Sequence, residues 1–265
     1  MSTPPTTNRG WVRRARALRD RTTREREGML FVEGIRQVLA AEEGGNAIEA
    51  VLVDPTRLRS ANGWEMIDRI QHTGVPIVML NPGEFESISS RDNPVGLAAL
   101  INWRTPPLTR ARVTAGDVWL LVDDIRDPGN LGTLIRTADA LGASGLVMHR
   151  GVDAGHPTVA RSSLGTLFRT SIFRTESLEE LFAWTAANQL FVLATSANAE
   201  RALDTVEAPR PLAVLVGNEA EGLAADVLEQ ADAFVRIPMH GTASSLNVSV
   251  AAGIVLYEVA GRGTG

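Results

Sequence analysis

Cysteine is absent from the 265-residue chain. Disulfides, zinc–thiolate sites, iron–sulfur clusters and a thiolate nucleophile are therefore excluded. Lysine is absent too, so all 26 basic residues are arginine. A Schiff base or a lysine general base cannot form, and contacts to anions fall to arginine forks and backbone amides. The four histidines, His72, His149, His156 and His240, are too scattered to suggest a metal centre. No apolar run reaches the ~18 residues of a membrane span, and residues 1–7 lack the apolar core of a signal peptide. A cytoplasmic protein with no membrane partner and no metal is the expectation. No G-x-G-x-x-G follows a first strand and no G-x-x-x-x-G-K-[ST] occurs, which argues against the common nucleotide-cofactor sites.

What is present is ordinary for a globular chain: 44% hydrophobic and 22% charged residues. The length suits two modest domains. The net charge of −5 is unevenly spread. Residues 1–104 hold 14 Arg against 13 acidic residues, whereas residues 105–265 hold 12 against 18. Basic charge gathers at the start, where Arg13, Arg14, Arg16 and Arg19 lie on a segment that reads as a helix over 11–26. Such an arm is either a solvated helix face or a set of phosphate contacts. Residues 1–8 read as disordered.

Strand-like runs at 29–32, 50–53 and 76–80 alternate with helical patterns at 35–41 and 64–73, and an apolar run follows at 97–101, a small α/β module. The Pro-Pro stretch of 104–110 reads as a linker, giving an N-terminal domain over 1–104, a linker over 105–115 and a second domain over 116–265. From residue 116, apolar strands at 118–122, 145–148, 191–195, 212–216 and 233–237 alternate with helices at 131–141, 159–168, 178–187 and 224–230, then a final helix. That alternation predicts an α/β fold with a parallel sheet and helices on both faces, and ligands at the carboxyl ends of its strands.

Three strand-end stretches carry polar groups. The first holds Asn130, Gly132 and Arg136. The second is Gly217-Asn218-Glu219 with Gly222. The third runs Ile237-Pro238-Met239-His240-Gly241 to Ser244-Ser245-Leu246-Asn247-Val248-Ser249. Pro238 ends a strand there, and Ser244 or Ser245 can cap the following helix. Arg161, in a weaker small-residue stretch at 161–168, is a fourth candidate. Taken singly, each stretch is equally an ordinary turn or helix. Together, Asn130-x-Gly132-x-x-x-Arg136-Thr137-Ala138, Gly217-Asn218-Glu219-x-x-Gly222 and Ile237-Pro238-Met239 to Ser245-Leu246-Asn247-Val248-Ser249 resemble the three signature motifs of the SpoU-type (TrmH family) RNA ribose 2′-O-methyltransferases of the SPOUT superfamily.

The resemblance spans about residues 116–262. It implies a C-terminal trefoil knot, a homodimer and S-adenosylmethionine bound in the knot. Cofactor walls would come from Thr195, Ser196, Ala197, Gly217, Asn218, Glu219, Ile237, Pro238 and Met239, with Ser245, Leu246 and Asn247. Residues 1–104 are similar to the ribosomal-protein-like α/β domain often fused ahead of that fold to bind RNA. Asn130, Arg136, Glu219, Ser245 and Asn247 would form the catalytic set, with Glu219 pairing with Arg136 or polarising the site. The resemblance points to Arg136 as base; a guanidinium is better suited to holding a phosphate beside the ribose. Arg13, Arg14, Arg16, Arg19, Arg136 and Arg161 would face RNA, most readily ribosomal RNA. A tRNA enzyme or a non-catalytic RNA-binding protein are the alternatives. Two departures from the family pattern, Thr158 for a frequent lysine and Ser244 for a frequent glutamate, bear on substrate preference.

Overall fold

The computed structural model describes residues 4–243 and 245–261. It divides into two compact units: the chain through Arg104 together with Gly155–Arg169, and Thr105–Ala154 together with the chain from Thr170.

The first unit opens with α1 (Asn8–Ala17) and α2 (Arg21–Glu27). Order begins earlier than the composition of 1–8 suggests, because Thr7 Oγ1 accepts the Gly10 N–H and caps α1. The single helix expected over 11–26 is split. Asp20 accepts the Thr23 N–H at 2.7 Å and starts a new helix. That bond also holds the Asp20 carboxyl below the usual carboxylate range. Then come β1 (Met29–Glu33), α3 (Ile35–Glu43), β2 (Ile48–Val53), α4 (Ala61–His72), β3 (Ile77–Met79), α5 (Pro82–Glu86) and β4 (Leu97–Asn102). Helix α5 is unread in the sequence; its one turn is held by a capping box between Asn81 and Glu84. The sheet order is β1-β4-β2-β3, with β4 antiparallel to β1 and β2 and β3 parallel to β2. Trp11, Ala15 and Leu18 of α1 bury against Phe31, Leu52, Phe85 and Leu100.

The stretch expected as a linker is packed. Leu108 and Ala111 join the core of the second unit, where burying their side chains outweighs the freedom of a tether. From there run β5 (Val118–Asp123), α6 (Pro128–Ala140), β6 (Gly145–His149), α7 (Pro157–Ser162), β7 (Ile172–Thr175), α8 (Leu178–Ala187), β8 (Phe191–Thr195), β9 (Arg201–Ala202), β10 (Leu212–Val216), α9 (Ala225–Leu228), β11 (Ala233–Arg236) and α10 (Val248–Gly261). Helix α7 belongs to the first unit. The helix expected over 159–168 stops early because Leu164 (φ 53°) and Gly165 (φ 100°) turn left-handed. A Cβ at Gly165 would lie 2.5 Å from that of Ala40, so the chain needs glycine to pass there.

The second sheet runs β7-β6-β5-β10-β8-β11-β9 and every pairing is parallel. Strands β7 and β9 are too short, at four and two residues, to give a periodic signal. Trp119, Leu121, Val192, Ala213 and Leu215 pack with Leu181 of α8 and Val227 of α9 on one face. The alternating Leu120, Val122, Leu146 and Val214 are buried on the other, against α6 and α10. No described helix is long and apolar enough to cross a membrane.

Candidate active site

Because the strands are parallel, the segments that follow β5, β8, β10 and β11 leave the sheet on one edge. The first of them turns at Asp124 (φ 50°) and enters α6 through Asp127, whose Oδ1 accepts the Asn130 N–H at 2.7 Å. Pro128 occupies the first turn of α6, where a missing N–H costs nothing.

The segment after β10 closes on itself. Asn218 and Gly222 exchange main-chain bonds at 3.1 and 3.0 Å. A Cβ on Gly217 would stand 2.5 Å from the Gly222 oxygen, so only glycine fits. Asn218 is buried and fastens this loop to the first one, donating from Nδ2 to the Asp124 oxygen at 2.9 Å. Its Oδ1 accepts the N–H groups of Ala220 and Glu221. The loop presents Glu219 to the start of α6. The carboxylate accepts from Arg126 N at 3.3 Å, Asp127 N at 3.2 Å and Asn130 Nδ2 at 3.0 Å. A negative charge is favoured there by the free N–H groups and the helix dipole.

An ionised carboxylate only accepts, so Asn130 must turn its NH₂ toward Glu219. Its Oδ1 then faces Asn247, which donates from Nδ2 at 2.9 Å. Asn247 in turn uses its own Oδ1 to accept the Ser249 N–H at 2.9 Å. Asn247 is thus the cap of α10, the role expected of Ser244 or Ser245. Ser245 is exposed and makes no such bond, while Ser244 lies outside the described residues. Ser249, 4% exposed, completes the set by donating from Oγ to the Asn130 oxygen at 3.1 Å. One carboxylate therefore orients a chain of amides linking all three motif segments.

Arg136 stands apart from this network. It is exposed on α6 and makes no ion pair or hydrogen bond with any described residue, so the expected pairing with Glu219 is not formed. The cation beside the site is Arg126, which bonds Asp124 at 2.6 Å and lies 3.8 Å from Glu221. Asp124 raises the pKa of its guanidinium further. Arg126 and Ser249 are the residues that sequence reasoning passed over. The spacing of Asn247-Val248-Ser249 marks a capping turn, but nothing in it shows which residue the serine hydroxyl meets.

The remaining expected residues line the strand ends. Thr195 ends β8 and Ser196 follows it, both half-buried, and Ser196 N donates to Val235 O at 3.0 Å. Ala197, Pro238 and Met239 are exposed, and Ile237 and Leu246 half-buried. Between Met239 and Leu246 no main-chain hydrogen bond to another described residue forms. Apolar side chains beside free backbone donors and acceptors suit a neutral heterocycle with attached polar groups, and this donor set fits S-adenosylmethionine. Of the basic residues, Arg13 is exposed, and Arg16 and Arg19 are exposed while bonded to Ser87 O. Arg161 is exposed in the first unit. Arg14 is a correction. Its side chain is 9% exposed and held by Glu27 at 3.1 Å and Glu49 at 3.3 Å, with Trp11 beneath it, so it serves the fold.

Known proteins share this layout. The SpoU rRNA Methylase family matches residues 117–257, and the MRM3-like substrate binding domain matches residues 10–99. The chain is 31% identical over 246 residues to 23S rRNA (guanosine(2553)-2'-O)-methyltransferase RlmP of Bacillus subtilis (strain 168), covering 92% of this chain and 93% of that protein. It is also 31% identical to the 23S rRNA (uridine(2479)-2'-O)-methyltransferase of Streptomyces viridochromogenes, over 91% of this chain and 85% of that one. The crystal structure of the SpoU methyltransferase AviRb from Streptomyces viridochromogenes in complex with the cofactor AdoMet superposes with a TM-score of 0.87 at 29% identity, covering 95% of this chain and 97% of the other. An AdoMet-bound rRNA methyltransferase from Sinorhizobium meliloti gives 0.86 at 30% identity, covering 95% and 94%.

Proposed function

This chain belongs to the SpoU rRNA methylase family, and from that premise we propose that it transfers a methyl group from S-adenosylmethionine to a ribose 2′-hydroxyl of 23S ribosomal RNA in the cytoplasm. The observation that carries the reading is the Glu219–Asn130–Asn247 chain of bonds, which ties the three motif segments together. A fold kept only for binding RNA has no need of a buried Asn218 and a three-donor carboxylate at one strand edge. Thr195, Ser196, Ala197, Gly217, Asn218, Glu219, Ile237, Pro238, Met239, Ser245, Leu246 and Asn247 would hold the cofactor, in the trefoil knot characteristic of the family. When bound, S-adenosylmethionine would supply a sulfonium-activated methyl group to the 2′-oxygen, its S–CH₃ bond breaking to leave the neutral thioether S-adenosylhomocysteine while the hydroxyl proton passes to solvent water.

The chain's own part is placement. In-line orientation supplies much of the rate of such a transfer. Arg136 lies two turns into α6 with no protein partner, free to fork onto the phosphate beside the target ribose. The planar two-point fork of Arg136 suits it to hold the substrate by its phosphate. Asn130 and Glu219 fix the entry to α6 and thereby the base of that helix. Arg13, Arg16, Arg19 and Arg161 contact RNA phosphates from the first unit, which acts as the substrate-binding domain. Incubation with methyl-labelled S-adenosylmethionine and separate 23S, 16S and transfer RNA transcripts tests the reading. Label is expected in 23S RNA, in an alkali-resistant dinucleotide. Label on a base, or in none of the RNAs, would sink it.

The same reading includes a homodimer through the second unit. Val250, Ile254 and Tyr257, at helical spacing on α10, are 51%, 38% and 71% exposed. With Thr133, Thr137 and Gly253 they line an apolar groove along α6 and α10. A patch of this kind marks an interaction surface. Light scattering is expected to give twice the chain mass, and Ile254→Glu with Tyr257→Glu to halve it. A wild-type monomer at micromolar concentration would remove the dimer from the proposal.

A further inference from the structure

A buried polar pair stands at the strand edge behind the site. Asp123 closes β5 and His149 closes β6, in register with each other. They are 6% and 1% exposed, and both belong to the second unit. Alternation from Leu121 and Val147 sets them on the face that α8 and α9 cover. His149 Nδ1 lies 2.7 Å from Asp123 Oδ1. A carboxylate accepts, so the imidazole donates there. Its other nitrogen, Nε2, is buried and meets no hydrogen-bond partner among the described residues. Thr175, next in register beyond His149, turns its hydroxyl to Ser177 and Glu180 at the start of α8 instead. A buried polar atom without a partner lowers stability. Two apolar side chains of similar size would serve the sheet at least as well, so packing alone does not account for the pair.

What the pair holds lies one residue further on. Both strands exit through left-handed residues, Asp124 at φ 50° and Arg150 at φ 57°. For a residue with a Cβ, that conformation persists only where the surroundings impose it. Here His149 O accepts the Asp124 N–H at 2.9 Å, and Ile125 O accepts the Val152 N–H at 2.8 Å. The Nδ1–Oδ1 bond fixes the residue just before the turn. From the turn, the fastening runs on into the motif segments. Asp124 O accepts from Asn218 Nδ2 at 2.9 Å, and the Asp124 carboxylate accepts from Arg126 Nε at 3.0 Å. Arg126 N in turn donates to Glu219, the carboxylate that orients Asn130. His149 thus grips Asp123 by its ring and Asp124 by its main chain.

We infer that His149 is a positioning residue for methyl transfer, fixing the turn from which the Asn218 loop and the entry to α6 are held. With Nδ1 committed and Nε2 sealed inside the fold, the imidazole exchanges no proton with a ribose and acts on geometry alone. The inference rests on the methyltransferase reading above. In the full chain, Asp123→Leu with His149→Phe removes both partners and leaves no charge unpaired, so it is expected to melt within a few degrees of wild type. Its kcat at saturating S-adenosylmethionine and 23S RNA transcript should fall about tenfold, short of the hundredfold that about an ångström of misplacement can cause. The RNA dissociation constant should stay within about twofold, since the arginines proposed to meet RNA lie elsewhere. His149→Asn sets an amide nitrogen where Nδ1 stands and should keep kcat within about threefold of wild type. His149→Gln carries the same amide one carbon further, off that position, and should be about as slow as the double variant. These two single variants decide the matter where the double variant does not fold. A folded double variant with wild-type kcat would reduce the pair to packing and overturn the inference. So would equal rates in the Asn and Gln variants. Either result leaves methyl transfer by the wild-type chain, and the reading above, standing. If the wild-type chain methylates no RNA, that reading fails and the inference falls with it.

Discussion

Arg136→Ala is expected to lower methyl transfer to RNA by about a hundredfold or more, the scale of losing one well-placed electrostatic contact. Cofactor affinity should stay within about twofold, since every residue proposed to hold S-adenosylmethionine lies on the other strand-end segments. The exposed, unpaired state of Arg136 makes this a clean test. Removing it leaves no buried partner stranded, so stability should move by no more than about 0.5 kcal/mol. Arg136→Lys should recover only part of the loss. An ammonium restores the charge but not the planar two-point fork. The measurement is single-turnover methylation paired with calorimetric titration of S-adenosylmethionine. Loss of cofactor binding along with activity would assign Arg136 to the cofactor and reject the phosphate role.

Asn130→Asp should be nearly as severe, for a different reason. The Asn130 NH₂ donates to Glu219 at 3.0 Å, and the substitution sets a second carboxylate there. Two carboxylates at that distance cannot both ionise, and one keeps its proton above the usual carboxylate range. The folded variant then binds a proton that the unfolded chain has released. Its stability falls as pH rises through the raised value and is regained below it. A loss of about 1 kcal/mol or less is expected at neutral pH, because Glu219 is exposed and solvent screens the pair. Activity should drop about a hundredfold as the entry to α6 shifts and the three segments lose register. Asn130→Ala removes the same bonds without adding charge, so its stability deficit should not vary with pH. Thermal melts of both variants between about pH 5 and pH 8 separate the cases. A deficit in the Asp variant that is flat across that range would show that Glu219 and residue 130 are not coupled.

Much of the second unit was legible in its sequence. The apolar runs at 118–122, 145–148, 191–195 and 212–216 coincide with β5, β6, β8 and β10 to within a residue or two. They are buried on both faces, so each reads as continuous hydrophobicity bounded by turn residues. The short elements were not legible. Strand β7 alternates too briefly, and α5 depends on a capping box that has no periodic signature. The break between α1 and α2 has no apolar signature: Trp11, Ala15 and Leu18 stop at the C-cap of α1, and only the Asp20 cap marks the start of the polar α2. Arg14 looked like its neighbours Arg13 and Arg16; only packing shows that it faces Glu27 and Glu49.

Composition alone excluded thiolate and lysine chemistry, because those atoms are not in the chain. Alternating periodicity determined a parallel α/β fold, and motif order pointed to the family. Which polar groups meet was a matter for the tertiary structure. Glu219 and Asn130 are 89 residues apart, and Asn130 and Asn247 are 117 apart. They touch because β10 pairs beside β5 and because α6 and α10 pack on the same face. The absence of a bond between Arg136 and Glu219 and the passage of the cap from Ser245 to Asn247 follow from that same strand order and packing. Sequence spacing records distance along the chain, and a side chain's hydrogen bonds are set by distance in space.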